Sequence, residues 1–376
     1  MSLFIGLMSG TSLDAIDAAL VHFEAGQAPR LIASHDVSLP AGLRERLWQL
    51  CHADQVSFAE LAAAEDAFCR LQAAAVVQLL DKAGVSPRNI RAIGSHGQTI
   101  EHAPQGHAGG PAYTLQMDNP SLLAELTGCC VVGDFRRRDL AAGGQAAPLA
   151  PAFHAALFRH PEQWRLILNL GGFANLTVLP PTTDARQPLG FDTGPANALM
   201  DAWIARHRGK PYDRGGAWAA SGQVDESLLA RCLEDSYFKR PAPRSTGREY
   251  FHLGWLAERL NGDERPEDVQ ATLSELTAVS IAEGAKLAMR QLDAPTPDAL
   301  FACGGGAHNT DLMERLEQQM PETRVSDIAT LGWSADWLEA AAFAWLAWRR
   351  LEYAPGNLPS VTGARGPRVL GGVYAP

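Results

Sequence analysis

Three glycine-rich turns stand out in this 376-residue chain as places where chemistry could happen: "GLMSGTSLDAID" (6–17), "NLGGFAN" (169–175) and "CGGGAHN" (303–309). Each turn bares backbone N–H groups, which suit phosphate oxygens in a concave nest. The lysine of a GxxxxGK[ST] loop is missing, which excludes that loop and its fold. Charge neutralisation must then come from Mg²⁺ and backbone dipoles. One such turn reads equally well as a plain turn. Three, two of them built alike and far apart, point to a nucleotide held between two related domains. Asp14 and Asp17 follow the first turn. They read as oxygen ligands for the water shell of a hard cation, or as solvated strand charges.

Asp192, in "FDTGPAN", is the strongest candidate for proton transfer. The pattern puts it at the end of a short strand, directly before a helix whose dipole favours the ionised form. Gly194 and Pro195 read as the cap and first turn of that helix. An ionised carboxylate there can take a proton from a hydroxyl or a water, or it can simply cap the helix. His96 in "GSHGQT" follows a strand end beside Gln98 and Thr99, as a core histidine or as part of polar ligand recognition. "DFRRRD" (134–139) is a solvated basic face, or holds an arginine that pairs bidentately with a substrate carboxylate. Glu339 sits on an otherwise apolar helix, facing either solvent or a site. The chain contains no HExxH, no GxSxG and no paired-cysteine metal spacing.

The elements that must position these residues alternate strand and helix, with glycine turns at strand ends: an α/β chain. "LFIGLMS" is a buried strand, and residues 58–83 form an alanine-rich helix. Residues 13–23 fit strand and helix about equally well. "WRLILNLGGFANLTVLP" repeats the opening strand–turn–strand plan, a hint of internal duplication. The length fits two domains. Hydrophobic content of 46% and charged content of 20% are ordinary for a soluble chain. A net charge of −10 argues against nucleic acid or an anionic membrane as general partner. No stretch reads as a signal peptide or a membrane span. The six cysteines read as free thiols in a reducing, cytoplasmic setting. The helix "LEAAAFAWLAW" and the loops near 212–245 are the candidate homodimer surface.

Taken together, "GLMSGTSLDAID", "GSHGQT", "DFRRRD", "GGQAAPL", "NLGGFAN", "FDTGPAN", "CGGGAHN" and "VTGARGPR" resemble, in order and over nearly the whole chain, the anhydro-N-acetylmuramic acid kinases. The resemblance implies the two-domain fold shared by actin, Hsp70 and the sugar kinases, with ATP and Mg²⁺ in a cleft between duplicated α/β domains. It also favours the strand reading of 13–23, as the first phosphate hairpin. It implies domain I at 1–133 plus about 350–376, and domain II at 134–349. The implied reaction opens 1,6-anhydro-N-acetylmuramic acid with water and phosphorylates O6, giving N-acetylmuramic acid 6-phosphate during recycling of cell-wall fragments. An ordinary hexose or amino-sugar kinase of the same fold is the alternative, and an actin- or Hsp70-like ATP switch a more distant one. By motif, the nucleotide contacts are Gly10, Thr11, Ser12, Asp14, Asp17, Gly171, Gly172, Asn175, Gly194, Asn197, Gly304, Gly305 and Gly306. The sugar contacts are His96, Gln98, Thr99, Asp134, Arg136 and Glu339, and the base that activates water is Asp192. Ala15 and Ala196 stand where the family usually has glycine.

Overall fold

The computed structural model describes residues 2–10, 12–53, 55–107 and 109–376. The chain divides into two units, one of Met1–Phe153 with Trp337–Pro376 and one of His154–Asp336. In the first unit, β1 (Ser2–Met8) and β2 (Ala15–Phe23) form an antiparallel hairpin, so residues 15–23 are strand. β3 (Arg30–Ser38) pairs antiparallel with β2, while β4 (Ile90–Ser95) lies parallel to β1. A separate hairpin joins β5 (Gln98–Ala103) to β6 (Tyr113–Met117). β7 (Val131–Gly133) lies parallel to β4, and Gly372–Tyr374 closes that edge antiparallel to it. The sheet therefore runs Gly372–Tyr374, β7, β4, β1, β2, β3.

β1 lies inside this sheet and carries an almost unbroken apolar run, as a strand covered on both faces must. Ile5, Leu7, Ile16 and Leu20 pack with Phe68, Val76 and Leu79 of the helix Phe58–Ala83. A Ser57/Glu60 capping box starts that helix, and Gly84 in the left-handed region ends it. The other face belongs to the helix Leu338–Leu351, which packs on β1, β2 and β4. Here Phe23 stacks on Trp348, with centroids 5.1 Å apart. Gly6 and Gly94 let this helix lie against the strands. A Cβ on Gly6 would collide with the Ala340 carbonyl, and one on Gly94 with the Phe343 carbonyl.

The second unit repeats the plan. β8 (Arg165–Leu170), β9 (Phe173–Leu179) and β10 (Leu189–Pro195) form an antiparallel meander. β11 (Ala299–Cys303) then lies parallel to β8, and β12 (Arg324–Asp327) parallel to β11. The order β10-β9-β8-β11-β12 matches β3-β2-β1-β4-β7 of the first sheet in both sequence and strand direction. The internal duplication is thus a duplication of topology. The long helix Pro266–Gln291 is the main apolar cover, with Leu273, Ile281 and Ala285 among Phe191, Leu199 and Leu300.

The units divide at 153/154 and 336/337, not at 133/134 and near 349/350. The reason is physical. The helix Leu338–Leu351 is buried from Ala340 to Ala347 against the first sheet, so it belongs to that unit. Asp139 binds Asn357 and Thr362, which keeps residues beyond 134 with it as well. The same burial removes "LEAAAFAWLAW" as a dimer surface.

Candidate active site

In the first unit, β1 runs into the first glycine turn. The Leu13 amide donates to the Gly10 carbonyl at 3.3 Å, and Leu13 itself has φ +58°. Gln98, buried at the start of β5, holds the turn: Ser9 Oγ donates to its Oε1 at 2.8 Å, and its Nε2 donates to the Thr99 carbonyl at 3.2 Å. A sugar-contacting role for Gln98 therefore competes with this bracing. Among the described residues outside its chain neighbours, the nearest atom to the Gly10 Cβ direction is Ser12 Oγ, at 3.8 Å. Ser12 is exposed; Thr11 lies outside the described residues. Asp14 is exposed and pairs with Arg44 at 3.1 Å. Asp17 is half-buried in β2, opposite Met8.

Further along the same unit, half-buried Arg136 pairs with buried His96. Arg136 Nη2 lies 2.9 Å and Nε 3.3 Å from His96 Nε2, and Nη1 donates to the Ala146 carbonyl at 2.8 Å. Burial, then the Arg136 charge, holds His96 well below its usual range, so the ring is neutral. A neutral ring accepts at Nε2 and carries its proton on Nδ1, which is buried with no hydrogen-bond partner among the described residues. Burial also lowers Arg136, to about 10, against the opposing charges of Glu339 and Asp139. Arg136 stays cationic, with Glu339 in electrostatic reach, and Glu339 itself is exposed. Thr99 Oγ1 accepts from Gln116 at 3.2 Å. Asp134 follows β7 with φ +54° beside Arg137, and burial raises its carboxyl.

In the second unit, the β8–β9 turn is gripped by the helix Asn197–Arg208. The Gly172 carbonyl accepts from the Ala196 and Ala198 amides, each at 3.0 Å, and the Gly171 carbonyl accepts from the Asn197 amide at 3.2 Å. Asn197 Nδ2 donates to the Leu170 and Gly171 carbonyls at 3.1 and 2.9 Å. Its amide is thus spent on shaping the turn. Gly304, with φ +77°, and Gly306 press against the same strand end. A Cβ on the first would strike Asn169, and one on the second would lie 2.7 Å from Leu170 Cβ. Gly305 is exposed, with nothing within 4 Å of its Cβ direction. Turn, glycine loop and helix start thus touch one another.

Asp192 lies in this unit, within β10 rather than at its end. The strand continues to Pro195, and the helix begins at Asn197. The helix-dipole expectation is therefore corrected: burial raises the Asp192 carboxyl to about 6, against the lowering donors Thr246 and Asn175. Gly194 is not the cap either. It pairs with Ala174 in the sheet, and its Cβ direction points 2.7 Å from Phe238. Asn175, expected at the nucleotide, donates its Nδ2 to Asp192 Oδ1. Sequence reading missed Tyr237, Arg244 and Thr246, which all bond Asp192. The only signal was the loop "RSTGREY", a Ser-Thr-Gly turn between two arginines.

A family model described as Anhydro-N-acetylmuramic acid kinase matches residues 2–376. The protein of that name from Chromohalobacter salexigens is 62% identical over 375 residues, 100% of both chains. Its namesake from Pseudomonas paraeruginosa is 51% identical over 377 residues, 100% of this chain and 99% of its own. Among solved structures, the activator of 2-hydroxyisocaproyl-CoA dehydratase from Clostridium difficile with bound ADPNP is a distant likeness. It has a TM-score of 0.44 and 14% identity, over 93% of this chain and 96% of its own. With a family model spanning the chain and full-length relatives sharing half or more of its residues, this chain belongs to the anhydro-N-acetylmuramic acid kinase family, which makes it a sugar kinase.

Proposed function

We propose that this kinase binds ATP with its phosphates on the glycine turns and uses Asp192 as base to open 1,6-anhydro-N-acetylmuramic acid with water. The water oxygen bonds to the anomeric carbon as the bond from that carbon to O6 breaks, and the water proton passes to the Asp192 carboxylate. The freed O6 electron pair bonds to the γ-phosphorus as the bond to the β-bridging oxygen breaks, leaving ADP and the 6-phosphate. The observation that carries this reading is a nearly buried carboxylate poised at about 6. It is ionised at neutral pH yet basic enough to accept a proton.

The turns fit phosphate because the Cβ direction of Gly305 is open and those of Gly10 and Gly172 meet a single atom each, at 3.8 Å. Asp14 and Asp17 fit Mg²⁺ as hard oxygen donors beside the first turn, acting through water. The ion, when bound, supplies phosphate charge neutralisation. Arg136, held by neutral His96, is suited to the lactyl carboxylate of the sugar. The family reading also carries a cytoplasmic homodimer. Among the described residues no helix is long and apolar enough to cross a membrane, and exposed Trp48 and Phe58 offer apolar contact area.

The test is incubation with ATP, Mg²⁺ and the anhydro sugar in oxygen-18 water, followed by prompt mass spectrometry. The product should carry the label on the anomeric oxygen and none on the phosphate ester oxygen. Asp192→Asn should form no product while still binding ATP. Near-normal turnover in that variant removes Asp192 as base.

A further inference from the structure

β10 is an edge strand, so among the described residues one side of its backbone has no strand to bond. At Asp192 that side is filled by one loop. The Asp192 amide donates to the Arg244 carbonyl at 2.9 Å, and the Asp192 carbonyl accepts from Arg244 Nε at 2.9 Å and Tyr237 Oη at 2.8 Å. Arg244 Nη2 reaches on to the Thr193 carbonyl at 3.3 Å. On its paired side Asp192 lies directly opposite Asn175 of β9, and the register shifts immediately afterwards, before Gly194. Such irregularities re-aim side chains, and they cluster near active sites. The side chain is then bonded on both oxygens: Asn175 Nδ2 donates to Oδ1, and the Thr246 amide donates to Oδ2 at 2.9 Å.

We infer that Asn175 is a positioning residue for Asp192: with the Thr246 amide it turns the carboxylate so that the remaining lone pair on each oxygen faces the reacting water. This rests on Asp192 being the base. The residue sits on β9, just beyond the "LGG" turn, yet its amide serves the proton acceptor rather than the phosphates. An N–H donor bonds the ionised carboxylate more strongly than the neutral acid, so it favours the charged form. Burial pushes Asp192 upward, and Asn175 is one of the groups that limits the rise.

The experiment uses the full-length enzyme with Asn175→Leu, which removes the donor, and Asn175→Asp, which keeps the shape and sets a second carboxyl beside the first. The kcat–pH profile is read with ATP, Mg²⁺ and the anhydro sugar. In parallel, carbon-13 NMR titration of labelled aspartate, assigned with Asp192→Asn, follows the Asp192 carboxyl itself. Expected is an acid limb, and a carboxyl titration, moved alkaline by about one unit in Asn175→Leu and further in Asn175→Asp, with KM for ATP within about twofold. An unmoved titration with kcat lowered evenly at every pH overturns the inference. So does a tenfold rise in KM for ATP with an unmoved limb, which makes Asn175 a nucleotide ligand. Full turnover in Asp192→Asn sinks the base reading separately, and the NMR titration still decides whether Asn175 holds the carboxylate.

Discussion

A carboxyl group shut away from water keeps its proton longer, and Asp192 shows this in a form that solution measurements can read. Its folded value of about 6 lies above the ordinary carboxyl value of 3.8. The stability it contributes is therefore fully present below about pH 4 and lost as pH rises through about 6. A shift of this size corresponds to ~3 kcal/mol. Urea unfolding should show the wild type losing stability against Asp192→Asn by about that amount between about pH 4 and pH 7. Parallel stability curves would mean that Asp192 titrates like an exposed acid. At this scale the sequence revealed which residues matter but not their company. Asp192 and Arg136 are legible as chemistry-bearing types in polar, glycine-broken segments. Tyr237, Arg244 and Thr246 reach Asp192 from 45 to 54 positions away, and no local spacing encodes a contact of that range.

The elements were legible wherever period and punctuation agree. The second glycine hairpin and the helix Phe58–Ala83 follow from pattern alone, whereas residues 13–23 fit strand and helix equally and only the family resemblance favours strand. "LGFDTGPAN" misled because glycine and proline there look like the end of a strand. β10 runs through them because an edge strand tolerates a terminal proline that has no ladder bond to make. "LEAAAFAWLAW" misled in the opposite sense. A helix that is apolar almost all round is core, and its partner strands were marked only by two glycines. Those glycines give the element-scale prediction. Gly94→Ala puts a methyl into the Phe343 carbonyl, a backbone group that cannot step aside, and should destabilise by ~3 kcal/mol or more in urea unfolding. Gly305→Ala, with an open Cβ direction, should change stability by less than about 0.5 kcal/mol. Equal effects at the two sites would refute the packing argument.

On the scale of the molecule, two copies of one five-strand plan carry the two halves of the proposed chemistry, but they are closed in different ways. The second unit is a single continuous stretch, His154–Asp336, with its own apolar core. Residues 154–336 expressed alone should give a cooperative thermal transition by circular dichroism. A broad, non-cooperative melt would show that this core depends on the rest of the chain. The duplication was visible in the two similar turns, whereas the closure of the first unit was not, because it joins residues over 300 positions apart. That closure has a consequence for the newborn protein. A ribosome delivers β1, β2, β4 and β7 first, with one face of their sheet bare, and the helix that covers it emerges only after the whole second unit has been made. The later half can settle into shape while the earlier half still waits. During that interval Phe4, Phe23 and the backbone around Gly6 and Gly94 lack the cover they have in the finished fold. A premature stop before residue 338 would make the wait permanent, leaving a chain with one finished domain and one sticky, half-covered sheet for the cell's quality control to find.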